Sequence, residues 1–73
     1  MHYEINFTWD SDAAVWLATS EEVKGLVLES GSLDALIERV RYAVPELLSL
    51  NHDKISETIE ICFKLERNDR VYA

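Results

Sequence analysis

Cysteine is almost absent from this sequence, in which Cys62 is the only one among 73 residues. An internal disulfide is therefore impossible, and a reducing, cytoplasmic environment is the expectation that fits cysteine usage. Long apolar runs are also missing, since none approaches the roughly 20 residues that a membrane-spanning helix needs. The first ten residues show no basic region followed by an apolar one. We therefore expect no signal peptide and no membrane partner.

Basic residues are scarce, with 7 Lys and Arg against 14 Asp and Glu and a net charge of −7. Phosphate backbones repel such a surface, so we expect no direct binding of nucleic acid. A basic protein partner is compatible with the charge. The same charge also serves simply to keep a small domain in solution.

Glycine and proline are scarce as well, at two and one residues, and no linker or repeat divides the chain. We expect a single domain over residues 1–73. The hydrophobic share of 48% is ample for a core. So short a chain buries only about 60% of its unfolded surface, which makes a lone monomer marginally stable.

Apolar residues recur at the spacing of β-strands in four segments. The first and last alternate cleanly, whereas the second is apolar on both faces. In the second segment Trp16, Ala14 and Ala18 share one face, and we expect it to be the sheet face without a helix, together with Val27 and Cys62. The four segments are HYEINFTW (2–9), AVWLAT (14–19), LVLES (26–30) and TIEICFKLE (58–66).

A helix is predicted to begin after Ser32, whose hydroxyl can accept a bond from an orphan backbone amide. Asp34 follows in the first turn, where the helix dipole favours an acidic side chain. An apolar stripe at three- and four-residue spacings then covers about four turns. Pro45 lies inside this stripe and predicts either a kink or a fresh final turn. The stripe comprises Leu33, Leu36, Ile37, Val40, Val44, Leu47 and Leu48.

These elements predict an α+β fold, a two-layer sandwich of order β-β-β-α-β. Three strands joined by short turns form an antiparallel sheet, one helix covers one face, and the last strand joins after the helix. Gly25 permits the turn between the second and third strands. Gly31 and Ser32 mark the turn from the third strand into the helix.

Motifs of catalysis and metal binding are missing: no glycine-rich phosphate loop, paired-cysteine zinc spacing or nucleophile elbow occurs. His52 and Asp53 are adjacent on a polar loop, where neighbouring side chains usually diverge. Asp10 and Asp12 offer too few oxygen ligands for a cation and fit a solvated turn better. We expect no enzyme activity, no metal and no cofactor.

Trp16 has two interpretations that the sequence leaves open. Its ring either packs over the second sheet face against its own neighbours or anchors a contact with another chain.

One stretch resembles the N-terminal domain of HicB-like antitoxins, closest to the small stand-alone bacterial domains of unknown function in that superfamily. It reads D-x-D-A-x-V-W-L-A-T-S-x-x-V-x-G-L-V-x-E, followed by S-L-D-A-L. Lys24 stands where a proline is usual. Full-length relatives continue into a DNA-binding segment, which we expect this chain to lack. The matching positions are Asp10, Asp12, Trp16, Gly25, Glu29, Leu33 and Leu36.

The resemblance implies a protein-interaction module that binds a small basic, toxin-like protein. The contact residues expected here are Trp16 and the acidic side chains of the first two turns, Asp10, Asp12, Glu21 and Glu22. The alternatives are a stand-alone homo-oligomeric domain or a small nuclease-like enzyme. One helix for two sheet faces, together with free edge strands, predicts a homo-oligomer, most simply a dimer.

Overall fold

Four strands and one helix form two layers in the computed structural model, which describes residues 2–51 and 58–73. The α+β sandwich and its order β-β-β-α-β are confirmed. No helix among the described residues is long and apolar enough to cross a bilayer. The elements are β1 (His2–Asp10), β2 (Val15–Thr19), β3 (Val27–Ser30), α1 (Leu33–Leu50) and β4 (Glu60–Glu66).

The sheet has the strand order β3-β2-β1-β4. β1, β2 and β3 form the expected antiparallel meander, but β4 pairs with β1 in parallel, so the sheet is mixed. The direction of β4 follows from the helix. Because β3 runs parallel to β1 and α1 carries the chain back along the sheet, β4 must run in the direction of β1.

The pairing of β1 with β2 decides which side chains face the helix. Trp9 lies opposite Trp16 and Phe7 lies opposite Ala18. Directly paired residues project from the same sheet face, so Trp16 and Ala18 join the aromatic row of β1. That row is covered by α1. The expectation that Trp16 and Ala18 lie on the face without a helix is therefore wrong, whereas Val27 and Cys62 do lie there.

The core fills the space between α1 and the inner sheet face. Alternate residues of β1 and β2 meet the helical stripe, which is fully buried at every fourth residue from Leu36 to Leu48. Val23 and Leu26, from the turn before β3, close one end. The buried residues are Ile5, Phe7, Trp16, Ala18, Val23, Leu26, Leu36, Val40, Val44 and Leu48.

The helix begins as the sequence predicts and continues past its proline. The Ser32 hydroxyl accepts a hydrogen bond from the Ala35 amide at 3.2 Å, and Asp34 lies in the first turn. α1 runs without a new start through Pro45 to Leu50. A fresh final turn is therefore not formed. Beyond the helix, the Asn51 side chain donates to the Lys24 carbonyl at 3.0 Å and so fixes the helix end to the turn before β3.

Two turns contain residues with left-handed backbone. Ala14, between β1 and β2, has a φ of 55°, so it belongs to the turn and not to β2 as we expected. Gly25, between β2 and β3, has a φ of 89°. Gly31 lies between β3 and α1 and does not adopt positive φ. Of the two glycines, Gly25 is thus the one whose backbone conformation requires glycine.

Alanine substitution of the two glycines should separate these roles. Gly25→Ala should lower the free energy of unfolding by about 1–2 kcal/mol, because a side chain is strained at positive φ. Its Cβ would meet Leu47 only at an ordinary contact distance of 3.5 Å, so strain of the backbone is the dominant cost. Gly31→Ala, whose Cβ would be 3.7 Å from the Ala14 carbonyl oxygen, should leave stability unchanged or raise it by up to about 1 kcal/mol. Urea denaturation of both variants measures the difference, and equal losses would contradict this assignment.

Candidate protein-interaction surfaces

Trp9 and Trp16 form an edge-to-face pair at one end of the inner sheet face. Their ring centroids are 5.5 Å apart with an interplanar angle of 61°. The Arg67 guanidinium lies 4.1 Å from the centroid of Trp9 and 5.8 Å from that of Trp16, and its Nε donates to both carboxylate oxygens of Asp69. Such geometry is typical of a cation–π contact. The chain after β4 therefore covers the edge of the tryptophan pair.

The packing interpretation of Trp16 is the one that this environment favours. The residue is only 8% exposed and belongs to the same buried cluster as Phe7 and Val40. Its role as a contact residue stays a prediction. Sequence reasoning missed Arg67. The parallel pairing of Thr8 with Glu66 places the next residue of the chain beside Trp9, but this pairing was not deducible beforehand.

The acidic residues of the first turn mainly organise the turn itself. One oxygen of Asp10, Oδ1, accepts hydrogen bonds from the backbone amides of Asp12 and Ala13 at 3.0 and 3.2 Å. This is an Asx turn, as expected for aspartate at such a position. Asp12 is exposed and free to meet a partner, whereas Asp10 is already engaged.

The acidic residues of the second turn lie against the start of β1. Glu22 Oε1 accepts from the Glu4 amide at 2.8 Å, and the Ser20 hydroxyl donates to the Glu4 carbonyl at 2.7 Å. Glu21 and Glu22, together with Glu4 and Asn6, line a depression at this end of the sheet. The sequence predicted Glu21 and Glu22 as contact residues but gave no sign of Glu4, because its position beside them follows from the fold.

The two acidic turns lie at opposite ends of β2. Asp10 pairs with Val15 at the start of this strand, and Glu21 and Glu22 follow its last residue, Thr19. Five residues of strand span roughly 17 Å. The predicted contact residues are thus not brought into one compact cluster, and only the sheet surface between them could join them.

That surface is the sheet face without the helix, here called the open face. Because Trp16 and Ala18 point to the core, the alternate residues Val15 and Leu17 of β2 project from the open face. Both are half-buried at its centre. Val27 of β3 lies diagonally beside Leu17. Cys62 of β4 is on the same face but is separated from Leu17 by the polar row of β1. The sequence could not single out Leu17, since both faces of β2 are apolar. The acidic residues of the open face within the strands are Glu4, Asp10, Glu29, Glu60 and Glu66.

Potential catalytic groups are dispersed. Within residues 2–51 and 58–73, no group of three or more His, Cys, Asp or Glu side chains could hold a metal ion. His2 Nδ1 lies 3.6 Å from Glu60 at the exposed sheet margin. Cys62 is half-buried on the open face. His52 and Asp53 lie outside the described residues.

These features define a small α+β domain with one helix on a four-stranded mixed sheet. The chain belongs to the DUF1902 family, a domain of unknown function, whose family model matches residues 2–73. It is similar to the crystal structure of hypothetical protein TTHA1013 from the extremely thermophilic bacterium Thermus thermophilus. The two share 30% sequence identity with a TM-score of 0.84, over 97% of this chain and 100% of that one. No curated protein matches the sequence.

Removal of the Trp16 ring tests its place in the core. Trp16→Ala should lower the free energy of unfolding by about 3–5 kcal/mol, which is comparable with the whole stability of so small a domain. Tyr42→Ala removes an exposed aromatic ring from the helix and should change stability by only about 0.5 kcal/mol. Circular dichroism during urea denaturation compares the two. A Trp16→Ala variant with the wild-type midpoint would contradict the buried role.

Proposed function

We propose that this domain is a non-catalytic protein-interaction module whose open face binds a small basic protein. The observation that supports the proposal is the composition of that face. An apolar centre is bordered by carboxylates, and Lys64 is the single lysine or arginine that the four strands place there. No segment among the described residues covers this centre.

Charge and apolar area would have separate roles in such binding. The carboxylates would attract a basic partner and accelerate encounter in a salt-sensitive way. Leu17 and Val15 would supply the desolvated contact at the centre, where binding energy usually concentrates. This assigns to Leu17 the role that the sequence pattern suggested for Trp16. The acidic end formed by Glu4 and Glu22, and Asp12 at the opposite end, would border the same interface.

The resemblance to HicB-like antitoxin domains supports the nature of the partner. Such domains cover a small basic, RNA-cleaving toxin, and the acidic surface of this chain is complementary to a protein of that kind. Membership of DUF1902 is compatible with this function and does not assign one. The antitoxin role is therefore part of the proposal, and a stand-alone homo-oligomeric domain is the alternative.

The direct test uses the small basic protein that the proposal expects in the adjacent reading frame. The two chains are co-expressed, and the dissociation constant is measured for wild type and for Leu17→Lys. We expect Leu17→Lys to weaken binding at least about 30-fold, as for a contact worth roughly 2 kcal/mol. Leu50→Lys is the matched control, because Leu50 is 66% exposed at the end of the helix, in the other layer. Its affinity should equal that of wild type.

Raising the salt concentration should weaken the wild-type complex, because exposed charges are screened beyond about 10 Å at 0.1 M ionic strength. The proposal fails if the neighbour is not a small basic protein or if no complex forms at low salt. Equal losses for Leu17→Lys and Leu50→Lys would remove the open face from the interface. Circular dichroism of the free variants separates loss of binding from loss of folding.

A further inference from the structure

The two edges of the sheet differ in their capacity to pair with another strand. β3 has only four residues, and the Arg39 side chain donates to the Glu29 carbonyl on it at 3.0 Å. β4 has seven residues and, within the described part of the chain, pairs with β1 along one side only. A long free edge is a template for a further strand. β4 is therefore the edge that an additional strand would extend.

The sequence of β4 is complementary to itself when read antiparallel. With Cys62 opposite the Cys62 of a second copy, Glu60 lies opposite Lys64 twice, once on each side of the centre. We propose that two copies of this chain pair antiparallel through β4, in the alignment centred on Cys62. Cross-strand pairs of opposite charge stabilise a sheet, and here symmetry duplicates the pair.

Most other alignments place like charges together or lose the ion pairs. A two-fold axis perpendicular to the sheet requires one residue of β4 to lie opposite itself. Centring on Phe63 places Glu60 opposite Glu66 twice, and centring on Lys64 places the two lysines together. Centring on Ile61 leaves Glu60 opposite Cys62 and Lys64 opposite Thr58, without an ion pair. Centring on Leu65 places Lys64 opposite Glu66 twice but overlaps only residues 64–66 of β4. The alignment through Cys62 is therefore the one that combines two ion pairs with the longer overlap, residues 60–64.

Apolar side chains on the inner face of β4 favour the same alignment. α1 packs mainly over β2 and β3, and Leu65 on the inner side of β4 remains 51% exposed. The Cys62-centred alignment places Ile61 opposite Phe63 and Ile59 opposite Leu65. Both helices then lie on the same face of one eight-stranded sheet, and the half-exposed row of β4 gains apolar neighbours. The open face stays free, so this inference does not depend on the proposed partner.

The ion pairs can be tested by reversing their charges. Glu60→Lys and Lys64→Glu each place like charges opposite one another twice and should raise the dimer dissociation constant at least about 10-fold, or roughly 1.4 kcal/mol. The double variant Glu60→Lys with Lys64→Glu restores opposite charges and should return within about 3-fold of wild type. Sedimentation velocity across a dilution series measures all four proteins. Both side chains are exposed, and their contacts are long: Glu60 lies 3.6 Å from His2, and Lys64 lies 3.9 Å from Glu4. The variants should therefore stay folded, which circular dichroism verifies.

Cys62 reports the alignment independently, because it is the only thiol in the chain. A short bismaleimide, which adds one thiol at each end, should convert wild type into a covalent dimer at concentrations where the dimer sediments. Cys62→Ser should give none. The control variant Cys62→Ser with Thr8→Cys moves the thiol to β1 on the same face. In the proposed dimer three strand spacings, or roughly 14 Å, separate the two copies of β1. The thiols at position 8 should therefore cross-link poorly.

Three results would overturn the proposal. A mass near 8.4 kDa at every concentration would exclude the dimer. A dimer in which the double charge variant stays as weak as the single variants would exclude the Glu60–Lys64 pairing. Cross-linking at position 8 as efficient as at Cys62 would exclude the alignment. None of these outcomes bears on binding of a basic protein to the open face.

Discussion

The pairing of Trp9 with Trp16 and of Phe7 with Ala18 is the constraint on which this structure depends. A single helix can cover one sheet face only, and these pairs decide which one. Because β1 places its aromatic residues on one side, its direct partners on β2 must project there as well. The helix then follows the apolar row, since burying it gives the largest gain in a domain with so few residues to bury.

The position of Arg67 and the nature of the open face follow from that pairing. β4 adds beside β1 in parallel, which carries its end to the margin of the tryptophan pair and places Arg67 over the rings. On the other side of the sheet, no layer formed by residues 2–51 and 58–73 covers Leu17 and Val15. The same choice of face therefore produces both a closed aromatic end and an apolar centre among carboxylates, from which the proposed function follows.

Most of the architecture could be predicted from the sequence because its signals are local. The alternation of β1, the serine before the helix and the helical stripe each specify their element without help from the rest of the chain. The face of β2 that packs against the helix could not be predicted, because Val15 and Leu17 are as apolar as Trp16 and Ala18. The direction of β4 and the place of Arg67 depend on strand pairing across the whole chain. Of the predicted contacts, Asp12, Glu21 and Glu22 are on the surface, Asp10 is engaged in its turn, and Trp16 is in the core.

Thiol accessibility at two adjacent positions tests the assignment of faces most directly. In a Cys62→Ser background, Leu17→Cys and Ala18→Cys each place one thiol on β2, and the rate of reaction with a maleimide is measured under native conditions. The thiol at position 17 should react readily on the open face. The thiol at position 18 should be protected by orders of magnitude, because Ala18 is 0% exposed and reaction there requires the domain to open. Equal rates, or faster reaction at position 18, would contradict the face assignment and the function proposed from it.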